Sequence, residues 1–94
     1  MLTIYANIAR IGKYSLKVLN SLCHGGPYIA VHIGEKRVAW ISFKTKKHTS
    51  YDSVASGDLK GIGEVEQWLN DRNNFNLAAS KWNDFKNGVY VTLL

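Results

Sequence analysis

The chain has one cysteine, one proline and no apolar run approaching the ~18 residues a membrane span requires. Cys23 lacks a second cysteine for an intramolecular disulfide. No group of Cys and His has zinc spacing, so a reducing, cytoplasmic setting fits and Cys23 is expected to be inert. The opening stretch MLTIYANIAR has neither a basic leader nor a long apolar core; the chain is expected to be mature and soluble, with no membrane partner. Internal repeats, low-complexity segments and linkers are also missing, so 94 residues are expected to form a single domain over 1–94. No complete catalytic motif is present. Gly61-x-Gly63 and His24-Gly25-Gly26 are too short to act as phosphate loops. No catalytic residue, cofactor or metal is therefore assigned, and the reading leans away from an enzyme.

What the sequence does have is aromatic and basic. Hydrophobic residues make up 46%, with three Trp, five Tyr and three Phe, which argues for a packed core and against disorder. The formal charge of +5 is unevenly placed. Residues 1–50 hold eight basic side chains against Glu35 alone, whereas residues 51–94 hold four against six acidic ones. Such asymmetry suits steering toward an acidic protein or a nucleic-acid backbone; its simpler role is to keep the surface soluble and the strand edges from sticking.

The most legible stretch is 28–43, YIAVHIGEKRVAWISF. Two runs of β-branched and aromatic residues flank Gly34-Glu35, a pair suited to a two-residue turn with glycine at the first central position. A hairpin follows. Its register sets Ile33 opposite Lys36, His32 opposite Arg37, Val31 opposite Val38, Ala30 opposite Ala39 and Ile29 opposite Trp40. One face then carries Ile29, Val31, Ile33, Val38 and Trp40, the other Tyr28, Ala30, His32, Arg37, Ala39, Ile41 and Phe43.

A first strand is expected over 2–9 and a second over 14–19, where Tyr14, Leu16 and Val18 alternate with Ser15 and Lys17. Between the second strand and the hairpin, 20–27 is expected to be a loop broken by Gly25-Gly26-Pro27. The polar, basic stretch 44–53 is an exposed loop or frayed strand end. A helix over 63–72 places Ile62, Val65 and Leu69 at helical spacing, with Glu64 and Glu66 in its first turn. A second helix from 75 or 76 to 87 aligns Phe75, Ala78, Trp82 and Phe85, and Gly88 stops it. Residues 89–94 read as a short final strand along the sheet edge. The fold class is α+β: a small, mostly antiparallel sheet centred on the 28–43 hairpin, with two C-terminal helices laid over the Ile29/Val31/Trp40 face. Trp40, Trp68 and Trp82 are expected in the core.

The segment His24-Gly25-Gly26-Pro27-Tyr28-Ile29-Ala30-Val31 resembles a degraded form of the His-x-Pro-Pro-His-Phe-His-Val strand of the small bacterial proteins grouped as domain of unknown function four-one-six-zero. That family is similar in having a strand like 14–19 before the motif and an alternating strand like 38–43 after it. It also has a Gly-x-Leu like Gly57-Asp58-Leu59, then a Trp-bearing helix followed by Leu and Trp, as in Trp68, Leu77 and Trp82. Tyr28 and Ala30 stand where the family has its two strand histidines, so no role is carried over from a His pair. The resemblance implies a small protein tied to another macromolecule, of the toxin-antitoxin-like kind found on mobile elements.

Two functional classes stand ahead of a small-molecule enzyme. In the first, the chain is a non-enzymatic interaction module, a toxin-antitoxin partner or phage-type inhibitor of a host or defence protein, docking an acidic surface. Its binding residues are Tyr28, His32, Arg37, Phe43, Lys44, Lys46 and Lys47, since Tyr and Arg beside apolar residues compose binding hot spots. In the second, it binds nucleic acid or is a small ribonuclease-type toxin, setting Lys13, Lys17, Arg37, Lys44, Lys46 and Lys47 against phosphates, with His24, His32 and His48 for proton transfer. A homodimer through an open sheet edge is a further partner.

Overall fold

Gly12 and Gly34, at φ of 56° and 60°, each take the first central position of a two-residue turn, joining Ile11 to Tyr14 and Ile33 to Lys36. Left-handed backbone there matches the right-handed twist of the flanking strands, so the chain folds back on itself twice in tight hairpins. The computed structural model describes residues 5–19, 27–48, 59–86 and 88–94. The expected 20–27 loop lies outside them up to Gly26; so do Cys23 and the His24-Gly25-Gly26 start of the motif that carries the family resemblance, whose remainder from Pro27 to Val31 is described.

The described strands are β1 (Tyr5–Ile11), β2 (Tyr14–Leu19), β3 (Tyr28–Ile33) and β4 (Lys36–Ser42), followed by helices α1 (Leu59–Asn70) and α2 (Arg72–Asn83). Their order in the sheet is β1-β2-β3-β4, every neighbour antiparallel. This is the expected α+β fold with both helices after the sheet.

The hairpin register departs from expectation after its second pair. Ile33 faces Lys36 and His32 faces Arg37, but Val31 then lies opposite Ala39, Ala30 opposite Trp40 and Ile29 opposite Ile41. Val38 is an extra residue, a β-bulge, and one inserted residue sends every side chain beyond it to the opposite face. Ala39, Ile41 and Phe43 thereby join Ile29 and Val31 under the helices. Trp40 turns to the other side, where it packs with Leu19, Ala30 and Tyr28. A second bulge between Asn7 and Ala9 does the same for β1, bringing both Ile8 and Ala9 against the core.

Ile62, Val65 and Leu69 of α1 and Phe75, Ala78, Ala79 and Trp82 of α2 close that core. Trp82 is fully buried, whereas Trp68 is only half-buried at its margin. The first helix begins at Leu59, ahead of the expected 63, which leaves Glu64 and Glu66 beyond its first turn. The second begins at Arg72 rather than 75 because Asp71 caps it, its carboxylate accepting from the Asn73 and Asn74 amides at 2.9 and 3.1 Å. It ends at Asn83, before the glycine expected to stop it; Asp84 caps it and Lys86 takes φ of 51°.

Residues 89–94 form no strand. They run extended along α2, held by its side chains, because Asn76 and Asn83 supply the amide donors and acceptors that a neighbouring strand otherwise would. Among the described residues no helix is long and apolar enough to cross a membrane.

Candidate functional site

The helices cover one face of the sheet. Cross-strand register fixes what the other face carries: Tyr5, Asn7 and Arg10 from β1, Ser15, Lys17 and Leu19 from β2, Tyr28, Ala30 and His32 from β3, Arg37, Trp40 and Ser42 from β4. None is acidic, and none of the four described strands contains an Asp or Glu.

His32 lies at the middle of this surface, opposite Ser15 on one side and Arg37 on the other, and is only 6% exposed. The Tyr5 ring meets it edge-on, with centroids 5.7 Å apart and planes at 88°. Lys17 Nζ sits 5.6 Å from the Tyr5 centroid, and the Arg37 guanidinium carbon 4.8 Å from that of Trp40. Each cation thus leans on an aromatic ring, which attracts it through the ring's negative face and limits its wandering. Burial first, then the positive charges of Lys17 and Arg37, hold the imidazole below its ordinary pKa of 6.5. His32 Nδ1 is buried without a hydrogen-bond partner.

Of the residues assigned to partner binding from sequence, the structure brings Tyr28, His32 and Arg37 together on this face. Phe43 is not with them. It is 3% exposed in the core, its ring 5.8 Å from Phe75 and 6.3 Å from Trp82, because the bulge at Val38 turned it inward. Lys44, Lys46 and Lys47 belong to the turn after β4, which folds toward the helices. Lys46 takes φ of 60° and sets its ammonium 5.1 Å from the Phe75 centroid. Lys47 lines an open cleft of about 420 Å³ with Lys60, Glu64, Glu66, Gln67 and Asn70. Both signs of charge meet in that cleft, so it presents no uniform field. His48 ends the turn in a single bridge to Ile41; its backbone N–H and Nδ1 both reach Glu66 Oε2, at 2.7 and 3.1 Å.

Tyr5, Lys17 and Trp40 complete the basic face, and only Lys17 was singled out from sequence, as a phosphate contact. Its alternation with Leu16 and Val18 put it off the core; what sequence lacked was the pairing of β2 with β3 that sets it opposite Ala30, beside His32. Trp40 was hidden by the bulge. His32 and His48 do not meet, the first being on the sheet and the second against α1; His24 lies outside the described residues. No group of three or more His, Cys, Asp or Glu among the described residues is arranged to hold a metal ion. Compared with known proteins, the chain matches no family model, no curated protein and no solved structure.

Proposed function

We propose that this protein is a non-enzymatic interaction module that docks an acidic protein surface through the sheet face bearing Tyr28, His32 and Arg37, extended by Tyr5 and Lys17. The observation that carries this reading is the combination of acid-free strands with two cations, each braced on an aromatic ring. Arg, Tyr and Trp are the residues in which interface energy concentrates. Cations already held in place lose less conformational entropy when a partner arrives, so more of the contact energy appears as affinity. The positive field also speeds encounter with an acidic surface. The resemblance to the four-one-six-zero proteins supports the same class, a small cytoplasmic protein whose job is tied to another macromolecule, such as a toxin-antitoxin partner or a phage-type inhibitor.

Tagged wild-type protein and a Lys17→Glu/Arg37→Glu variant, matched for folding by circular dichroism, test the proposal in host lysate with and without nuclease, at low and at moderate salt. The expected result is one acidic protein recovered in stoichiometric amount by the wild type and lost by the variant. Equal capture by both proteins would dismiss this surface. Recovery of nucleic acid alone, lost on nuclease treatment and sensitive to salt, replaces the reading with phosphate binding.

A further inference from the structure

The two edges of the sheet are finished differently. The chain itself closes the outer edge of β4 near its end: Ser42 N–H donates to the Lys47 carbonyl at 3.1 Å, and Ile41 pairs with His48 in a single bridge. β1, at the other edge, has no such cover. Its register sets Ala6, Ala9 and Ile11 in hydrogen-bonded pairs with β2, so Tyr5, Asn7 and Arg10 turn their backbone N–H and C=O outward. Among the described residues nothing bonds those groups. The bulge at Ile8 separates Arg10 from Tyr5 and Asn7, which discourages a long flat strand from pairing along the whole edge. A short strand beside Tyr5 and Asn7 avoids it.

The two faces of β1 set the chemistry of such a strand. On the basic face lie Tyr5, Asn7 and Arg10, and Lys17 leans from β2 onto the Tyr5 ring, toward this edge. On the opposite face Ala6, Ile8, Ala9 and Ile11 are only partly buried against the core, so apolar surface is left open where the helix layer ends.

We infer that the outer edge of β1 accepts an extended segment of the docking partner, with alternating acidic and apolar residues, as a further antiparallel or parallel strand. This deepens the docking reading and rests on it. The segment's backbone bonds Tyr5 and Asn7, its acids meet Arg10 and Lys17, and its apolar residues continue the core past Ala6 and Ile8. In strand addition the main chain gives affinity and alternate side chains give specificity. Charge selects the occupant. With no acid in any of the four described strands, an acidic segment complements this face, whereas β1 of a second copy would set Arg10 and Lys17 against like charges. A nucleic-acid strand can meet the cations but lacks the peptide backbone that pairs with a strand edge.

Amide hydrogen exchange of the full chain, read by NMR, provides the test. The probe is a seven-residue peptide of alternating Glu and Val, blocked at both ends and added to about 1 mM. The peptide is expected to slow exchange at Tyr5 and Asn7 about tenfold while leaving the β4 amides unchanged. The same peptide N-methylated at alternate residues cannot donate along one edge and should bind at least tenfold more weakly, with the protein unaltered. Arg10→Gln/Lys17→Gln should weaken binding about tenfold, and a Lys/Val peptide should not bind. The inference is overturned if the Glu/Val peptide gives no protection, protects β4 instead, or binds no better than its N-methylated or Lys/Val counterpart. Protection of Tyr5 and Asn7 that grows with protein concentration alone assigns the edge to a second copy and also overturns it. So does protection by oligothymidylate without any by the peptide. The two readings fail separately. Partner capture that depends on charge, with no peptide protection of β1, removes only strand addition; β1 protection with capture unchanged by charge reversal removes the docking reading.

Discussion

The Asn83 amide closes both backbone hydrogen bonds of Val91: its nitrogen donates to the Val91 carbonyl at 2.9 Å and its oxygen accepts the Val91 N–H at 2.8 Å. Asn76 does the same at Leu94, donating at 3.1 Å and accepting at 2.7 Å. The repeat is geometric. Seven helical residues rise about 10.5 Å, and three residues of extended chain cover about 10 Å, so an i, i+7 pair on a helix meets an i, i+3 pair on an antiparallel tail. Trp82 Nε1 adds a bond to the Val89 carbonyl at 2.9 Å, and Arg72 Nε one to the Leu94 backbone oxygen at 3.1 Å. Tyr90, Leu93 and Leu94 are largely exposed, so these polar contacts carry much of the tail's attachment.

Asn83→Ala should therefore loosen the tail more than the core. Its two bonds are partly buried, and their loss is expected to cost about 1–3 kcal/mol. Asn76→Ala, whose bonds are exposed, should cost about 0.5–1.5 kcal/mol. Amide hydrogen exchange checks the location: protection at Val91 should fall in the first variant and at Leu94 in the second, while β2 and β3 amides exchange as in the wild type.

Two glycines in α1 should respond to alanine with opposite signs. A Cβ at Gly61 would press on Tyr14, within 2.6 Å of its Cε2 and 2.8 Å of its Cζ as well as against its hydroxyl. Tyr14 is buried and its rigid ring must shift as a whole, so overpacking of about 1–3 kcal/mol outweighs the roughly 1 kcal/mol that alanine gains in helix propensity. At Gly63 nothing lies within 4 Å, and Gly63→Ala is expected to stabilise by about 0.5–1 kcal/mol. Urea denaturation of the two variants decides both signs.

The same kind of local fact separates what could be read in the sequence from what could not. Gly34 at a turn, the alternation of Tyr14, Leu16 and Val18, and the spacing of Ile62, Val65 and Leu69 are properties of short segments, and the hairpin, β2 and the α1 core stripe follow from them. The bulge at Val38 is not such a property. Extending the register past it put Phe43 on the basic face and Trp40 under the helices; Phe43 instead packs under the helices, and Trp40 is buried on the other face with Leu19 and Ala30. What decides the register is the gain from burying Ala39, Ile41 and Phe43 together beneath helices that come later in the chain. The tail was misread for a related reason: the composition of 89–94 suits extended backbone, and extended it is, but its partners are helix side chains rather than a strand. The basic sheet face was half legible. Arg37 and His32 pair across a turn, whereas Lys17 and Tyr5 reach them only through the β2–β3 and β1–β2 pairings.

Glu66 should prove to be the residue that sets the turn after β4. Its carboxylate, on a residue only 7% exposed, accepts both the His48 backbone N–H and Nδ1, tying the end of that turn to α1. Glu66→Ala leaves the His48 amide without this acceptor and is expected to cost about 1–3 kcal/mol. Glu66→Gln keeps an acceptor oxygen and should cost about half as much. Exchange at the His48 amide should rise in the same order, Ala above Gln above wild type. Equal exchange in all three proteins would show that the turn holds itself through Ser42 and Lys47.

His32 should make the fold less stable in mild acid. Above its ordinary pKa of 6.5 the imidazole is neutral in folded and unfolded chains alike, and it contributes no pH dependence. As pH falls below 6.5 the unfolded chain takes up a proton that the folded chain resists, because burial, Lys17 and Arg37 hold the folded pKa lower. The unfolded state then binds more protons, so unfolding free energy declines with falling pH until the folded pKa is passed. Denaturation midpoints measured between about pH 5 and 8 should show this decline in the wild type and a shallower one in His32→Gln. Lys17→Gln should also flatten it, since removing one cation brings the folded pKa back toward 6.5. A His32→Gln profile parallel to the wild type would place the acid sensitivity in other groups and leave His32 free to titrate as it does in the unfolded chain.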